Sequence, residues 1–168
     1  MKMPFVPSML LSAMLTLGSA VQAADTPAAI PRPEHPRPDL LRDNWLTLNG
    51  EWQFEIDKAG DGETRGLTTG KDLNAKILVP FCPESKLSGL GLGNSEKLKN
   101  VWYRRMFDLP QTMQGKRVII HFGGVDYKAS VFVNGQLAGS HIGENVAFAF
   151  EITRFLKAGP NEVVVKVL

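Results

Sequence analysis

Strict alternation of apolar and polar residues is the feature that most constrains the fold of this chain. The segment WQFEID at residues 52–57 places an apolar residue at every second position, a period of two that is typical of a strand with one buried face. Further apolar runs of strand length are found at residues 77–79, 101–109, 118–122, 129–133, 137–141, 147–152 and 163–168. A parallel α/β architecture would need several helical repeats between such runs. Beyond the first residues of the chain, only 152–156 has any helical pattern, so we predict an all-β sandwich.

Glycine-containing turns separate these predicted strands. Asn49-Gly50 precedes the first alternating run and Asn134-Gly135 lies between two later ones, and such dipeptides suit the positive φ of a tight hairpin turn. Glycine-rich polar stretches at residues 57–75 and 85–99 are predicted to be long loops at the ends of the sandwich.

The first residues have the pattern of a secretory signal peptide. Lys2 precedes an apolar run at residues 9–17, and small residues follow up to Ala23, so we predict cleavage between Ala23 and Ala24 or one residue later. A membrane anchor is the alternative, but the apolar run is shorter than the roughly 20 residues of a spanning helix. We therefore expect an exported protein, periplasmic or extracellular, with no membrane association once residues 1–23 are removed.

Behind the signal, residues 24–40 form a proline-rich leader and residues 41–168 a single domain. Proline-rich segments are extended and form no hydrophobic core of their own, so we expect the leader to lie along the domain surface. The alternative is that the leader is a recognition peptide. The remaining chain has the length of one ordinary domain.

The charge of the chain argues against nucleic-acid binding, and its cysteine content excludes an internal disulfide. The formal net charge is +2, and Lys2 belongs to the signal, so no nucleic-acid partner is expected. Cys82 is the only cysteine and cannot form an internal disulfide. Its neighbours Phe81 and Pro83, and the lack of a nearby histidine, favour a half-buried structural thiol over a nucleophile.

No motif for metal, phosphate or serine chemistry is present. The three histidines, His35, His121 and His141, lack metal-site spacing, and no helical pattern follows the glycines at 89, 91 and 93. No Gly-x-Ser-x-Gly elbow occurs. We predict no metal and no cofactor. Four aromatic residues could stack on sugar rings, although most aromatics in alternating strands are core: Trp45, Trp52, Trp102 and Tyr103.

A series of short motifs extends over the whole domain. In chain order they are LNGEW at 48–52, VPFCPES at 79–85, VWYRR at 101–105, VDYKA at 125–129, VFVNG at 131–135, FEIT at 150–153 and GPNEVVV at 159–165. Their order and spacing resemble the first domain of family 2 glycoside hydrolases, the β-galactosidase, β-glucuronidase and β-mannosidase group. The resemblance covers residues 41–168.

This resemblance implies a jelly-roll β-sandwich of the galactose-binding-like type, placed ahead of an immunoglobulin-like domain and a (β/α)₈ barrel. In the family, the two catalytic glutamates lie on the barrel, and no residue of this chain matches either motif. In relatives another strand follows the one matching residues 163–168. We therefore expect the sandwich to be incomplete at its carboxyl end, with that run beside an unfilled strand position.

Two functions are compatible with these features. The first is the amino-terminal, non-catalytic part of a secreted glycosidase, which supports the barrel, has the downstream domains of the same enzyme as partners and contacts carbohydrate. The second is a free-standing carbohydrate-binding or adhesion module, and a structural subunit interface would leave the same signs. Because the chain stops within a β-run rather than in a polar tail, we favour the first. The candidate sugar contacts are polar residues near predicted strand ends, Glu84, Asn100 and Asp126, which could equally cap turns.

Overall fold

The computed structural model describes residues 29–35, 37, 39, 42–93 and 98–168. The predicted signal peptide, its cleavage site and part of the leader lie outside the described residues. These residues contain eight strands: β1 (Gly50–Ile56), β2 (Ala75–Val79), β3 (Val101–Phe107), β4 (Ile119–Phe122), β5 (Lys128–Val133), β6 (Gln136–Ile142), β7 (Phe148–Glu151) and β8 (Asn161–Val167). Single 3₁₀ turns occur at Lys86–Ser88, Gln111–Met113 and Thr153–Phe155, and the described part of the chain contains no α-helix. No helix there is long and apolar enough to span a bilayer.

The strands form two antiparallel sheets, so the predicted all-β sandwich is confirmed. The larger sheet has the order β2-β1-β3-β8-β5-β6, and the smaller one pairs β4 with β7. Neither sheet closes into a barrel. The segment with a helical pattern at 152–156 contains only the short 3₁₀ turn at Thr153–Phe155.

The expected unfilled position beside the last strand is not found. β8 lies inside the larger sheet, and its ladder pairs Val165 with Tyr103 on one side and with Val131 on the other. Both of its faces are covered, which explains why Val163, Val164 and Val165 are all buried. A strand buried on both faces is a continuous apolar run rather than an alternating one.

The main core lies between the two sheets. It joins inward-facing residues of the larger sheet to those of the smaller one, and its buried members include Phe54, Ile77, Val131, Val163 and Ile120. Burial of such side chains contributes about 1.5–3 kcal/mol each relative to exposure. This core aligns the strands and so determines which loops meet at each end of the sandwich.

The loop between β1 and β2 covers the outer face of the larger sheet. Leu67 and Leu73 of this loop pack with Trp102 of β3 and Val164 of β8 in a second buried cluster. The loop predicted at 57–75 is therefore a packed cover, and it removes the central strands of this face from solvent.

Candidate functional site

Strand register divides the loops of the larger sheet between two ends. Val167 of β8 lies opposite Val101 of β3 and Ala129 of β5, and we call this edge the Leu168 end. The opposite edge carries the β5–β6 hairpin, in which Asn134 and Gly135 adopt positive φ values of 49° and 80°, as the dipeptide predicts. We call it the Gly135 end.

The structure brings two of the three candidate sugar contacts to the same end. Asn100 immediately precedes β3 and Asp126 lies two residues before β5, so both are at the Leu168 end, on the strands that flank β8. Asp126 is exposed and Asn100 is half-buried. The carbonyl of Asn100 accepts a hydrogen bond of 2.9 Å from the N–H of Asp57, which fixes the start of β3 against the end of β1.

The third candidate, Glu84, belongs to a different loop. It follows β2, whose last residue Val79 is opposite Gly50 at the other end of the sheet. Glu84 is exposed, and its carbonyl accepts a hydrogen bond of 3.2 Å from the N–H of Gly93. That bond closes the glycine-rich loop upon itself. The role of Glu84, Asn100 and Asp126 in sugar binding stays a prediction.

The loop after β2 passes close to Tyr103 on the inner face of the larger sheet. Burial raises the pKa of the Tyr103 hydroxyl, and the nearby charges of Glu84 and Cys82 raise it further. Tyr103 packs edge-on against Phe54, with ring centroids 5.1 Å apart. The hydroxyl therefore stays protonated at neutral pH and can act only as a neutral hydrogen-bonding group.

The prediction of a half-buried thiol at Cys82 is wrong. Cys82 is exposed, and the buried position in this turn belongs to Pro83. The turn is closed by a bond of 3.0 Å from the N–H of Ser85 to the carbonyl of Cys82. Apolar neighbours in the sequence indicated burial, but in a turn successive side chains do not share one face.

Aromatic residues are mostly core, as expected for alternating strands. Trp102 is fully buried and Trp52 nearly so, with exposed fractions of 0% and 6%. Trp45 differs, because it is only half-buried and lies outside the strands. Its ring is 4.2 Å from that of His35 and 6.3 Å from that of His121 on β4, so Trp45 lies between the ring of His35 and the smaller sheet.

A small cleft lies where β1 and β3 separate, and no sequence pattern predicts it. The two strands pair only from Gln53 and Arg104 onward. Before that point the guanidinium of Arg105 donates to the carbonyls of Asn49 and Glu51, at 3.1 and 3.2 Å, replacing the missing ladder bonds. Burial lowers the pKa of Arg105. The cleft measures about 200 Å³, below the range of roughly 300–1,000 Å³ typical of ligand pockets.

The buried acidic residues have structural roles. Glu55 pairs with Arg65 at 2.7 Å, Asp57 lies 3.4 Å from the same guanidinium, and Glu162 pairs with Arg104. Each carboxylate therefore holds a loop or strand in place. In the described ranges no group of three or more His, Cys, Asp or Glu residues could hold a metal ion.

Comparison with known proteins identifies the class to which this sandwich belongs. Residues 94–168 match the family described as glycosyl hydrolases family 2, sugar binding domain. A solved β-glucuronidase of Lactobacillus rhamnosus superposes with a TM-score of 0.65 at 33% identity, covering 73% of this chain and 20% of that one. The chain is the amino-terminal sugar-binding sandwich of glycosyl hydrolase family 2.

Two curated relatives match this chain over different lengths. A β-glucuronidase of Bacteroides fragilis is 33% identical over 122 residues, which is 72% of this chain and 16% of that protein. A β-galactosidase of Thermoanaerobacter pseudethanolicus is 42% identical over 66 residues, 39% of this chain and 9% of that protein. The chain thus spans a fifth or less of the length of these three proteins.

Proposed function

We propose that this chain is the non-catalytic, amino-terminal domain of a longer, exported glycoside hydrolase that acts on β-glucuronides. The observation that carries this proposal is the similarity to the Bacteroides fragilis β-glucuronidase, which includes 72% of this chain but only 16% of the relative. The greater part of such an enzyme lies outside the region of similarity. The sandwich would support that part and contribute contacts to carbohydrate.

Physical requirements of the reaction support a non-catalytic role. Retaining hydrolysis of a glycoside uses two carboxyl groups about 5 Å apart, one as acid/base and one as nucleophile. In this sandwich the buried carboxylates of Glu55, Asp57 and Glu162 are neutralised by arginines. These three carboxylates are thus engaged in structural ion pairs. A (β/α)₈ barrel takes roughly 250 residues, more than the 168 of this chain.

The direct test is hydrolysis by the complete reading frame to which this chain belongs. We expect the extended protein to release the aryl group from an aryl β-glucuronide faster than from the matching β-galactoside or β-mannoside. A reading frame with no catalytic domain would contradict the proposal. Faster hydrolysis of the galactoside or mannoside would retain the family and reject the β-glucuronide substrate.

Contact with carbohydrate can be tested in the same extended protein. Asn100 and Asp126 share the Leu168 end, so Asn100→Ala and Asp126→Ala should raise KM for the aryl β-glucuronide. Glu84→Ala, in the loop after β2, provides a comparison within the same set of candidates. Unchanged KM in all three variants would show that they only cap loops.

Export is a separate part of the proposal. The signal at residues 1–23 predicts that the mature protein begins at Ala24 or Asp25. Mass spectrometry of material from the periplasm or medium should find one of these two amino termini. An intact Met1 terminus in exported material would refute it.

A second candidate function is a free-standing carbohydrate-binding module. It is favoured by the description of the matching family as a sugar binding domain. Calorimetric titration of the 168-residue chain with glucuronic acid and with galactose distinguishes the two. A free-standing module should bind one of them on its own. A supporting domain should bind neither measurably, because its polar contacts complete a pocket formed elsewhere.

A further inference from the structure

Among the described residues, three lysine or arginine side chains are half-buried: Arg104, Arg105 and Lys166. Arg104 pairs with Glu162, and Lys166 pairs with Glu63 at 2.8 Å. Arg105 makes no ion pair with a described carboxylate, and its hydrogen bonds go to backbone carbonyls. Cations withdrawn from water are normally paired with an anion, because an unpaired buried charge is costly. Arg105 is therefore the half-buried cation of the described chain that is best suited to hold an external anion.

The guanidinium of Arg105 keeps one edge free. Both of its hydrogen bonds leave from Nη1, to the carbonyls of Asn49 and Glu51. Within the described ranges, the enclosed side-chain nitrogens and oxygens without a partner belong to Trp45 and His141, so Nε and Nη2 of Arg105 are accessible to solvent. Nε and Nη2 together form the planar fork that binds two oxygens of one carboxylate or phosphate group.

The backbone at Gly50 makes room for this guanidinium. Gly50 has a φ of 124°, a conformation that favours glycine. A Cβ there would lie 3.0 Å from Nη1 and 3.7 Å from Nη2 of Arg105. Arg105 lines the cleft of about 200 Å³ between β1 and β3. A water molecule occupies about 30 Å³ of the liquid, so the cleft has room for an ion of a few non-hydrogen atoms.

The other charged residues that line the cleft are Glu51 and Arg104. The carboxylate of Glu51 is paired with Lys76 at 2.7 Å. Arg104 uses Nε and Nη1 for its acidic partners, whereas its Nη2 contacts the sulfur of Met106 at 3.7 Å. A thioether is a weak acceptor, so this nitrogen can serve a stronger one. The cleft thus combines the free fork of Arg105 with a further guanidinium donor.

We propose that the cleft between β1 and β3 binds a tetrahedral oxyanion of the size of inorganic phosphate or sulfate. Two oxygens of the ion accept hydrogen bonds from Nε and Nη2 of Arg105, and a third is directed toward Arg104. A planar carboxylate offers only two oxygens and would leave the third donor unused. All residues of this site belong to the sandwich itself, so binding is independent of the proposed catalytic part.

The methyl group of Met106 provides a direct probe of the cleft. Met106 lines the cleft and is 45% exposed, whereas Met113 lies in the 3₁₀ turn at Gln111–Met113 and is not among the lining residues. The 168-residue chain is labelled at its methionine methyl groups and titrated with sodium phosphate or sodium sulfate. Sodium chloride keeps the ionic strength constant. NMR spectra follow both methyl resonances, which are assigned with Met106→Leu and Met113→Leu.

The expected result is a saturable shift of the Met106 resonance at millimolar phosphate or sulfate, with no movement of Met113. Arg105→Lys keeps the charge but loses the fork, so its affinity for the ion should be weaker by on the order of tenfold. Arg117→Lys is the matched control, because Arg117 is exposed and paired with Glu151. Its affinity should equal that of the wild type.

Three outcomes would overturn the proposal. The first is a Met106 resonance that moves no more with phosphate or sulfate than with chloride, and this wild-type titration needs no variant to fold. The second is an equal shift of Met106 and Met113, which would show a general salt effect. The third is unchanged affinity in Arg105→Lys, which would place the ion on other residues.

Discussion

The carboxylate of Asp57 accepts a hydrogen bond of 3.1 Å from the indole Nε1 of the fully buried Trp102. The same carboxylate accepts bonds of 2.9, 3.2 and 2.8 Å from the N–H groups of Gly60, Asp61 and Gly62. One buried acid thus closes the turn after β1 and ties it to the core. This contact determines where the loop that covers the outer face begins.

Replacement of Asp57 should lower the stability of the fold. Asp57→Asn removes the charge and presents an amide to N–H donors that need an acceptor. We expect it to lower the free energy of unfolding by about 2–3 kcal/mol, the range for hydrogen bonds to charged groups and for buried donors left unpaired. Urea denaturation followed by tryptophan fluorescence measures the change. A loss below 0.5 kcal/mol, the ordinary range for surface changes, would show that the turn closes without the carboxylate.

The same residue predicts a pH dependence. Burial alone would raise the pKa of Asp57, but the hydrogen bonds from Gly62, Trp102, Asp61 and Gly60 outweigh it and hold the pKa below its usual value. A carboxyl group with a lowered folded-state pKa stabilises the fold fully above its unfolded value, about 3.9, and loses this as pH falls through the lower folded value. The stability difference between wild type and Asp57→Asn should therefore shrink below about pH 4. A difference that stays constant from pH 7 to pH 3 would contradict this.

A glycine on β6 should tolerate no side chain. A Cβ on Gly139 would lie 2.3 Å from Cε1 of Phe150, a ring of the smaller sheet in the main core. We expect Gly139→Ala to cost about 1–3 kcal/mol, as overpacking usually does. Gly123→Ala is the control, because a Cβ there meets nothing within 4 Å. Thermal unfolding of the two variants should differ clearly, and equal melting temperatures would mean that Phe150 moves aside freely.

The ion pair of Arg104 and Glu162 fastens the other end of the covering loop. Glu162 is 5% exposed, and besides Arg104 it accepts bonds of 3.1 Å from the Thr69 hydroxyl and 3.0 Å from the Gly70 N–H. Arg104→Met leaves this buried carboxylate without its cation and should cost about 3–5 kcal/mol.

An exposed arginine provides the control for that pair. Arg117 pairs with Glu151 at 2.8 Å, with side chains 71% and 50% exposed, so Arg117→Met should cost no more than about 1 kcal/mol. Chemical denaturation compares the two variants. Equal losses of unfolding free energy in the two variants would show that the buried ion pair contributes no more to stability than the exposed one.

Strand positions were largely predictable because apolar alternation reports a half-buried surface directly. The segment at 52–57 and the Asn134-Gly135 turn are examples, since period and turn chemistry are local properties. The central place of β8 was not predictable in this way. Its unbroken valine run shows burial on both faces, but its neighbours are decided by pairing with strands distant in the sequence.

Less of the candidate site than of the strands could be predicted from the sequence. Asn100 and Asp126 share an end only because β3 and β5 both pair with β8, and Glu84 lies in the separate loop that follows β2. The role of Arg105 depends on the point where two strands separate, which no local pattern indicates. Exposure of Cys82 depends on its turn and not on the polarity of its neighbours.

The most direct measurement for the account as a whole is the activity of the purified 168-residue chain on aryl β-glucuronide, β-galactoside and β-mannoside. We expect no turnover above the buffer blank with any of the three, because we propose that the paired carboxyl groups of the reaction lie outside this domain. Turnover that survives purification and disappears when a single acidic residue of this chain is changed to its amide would contradict it.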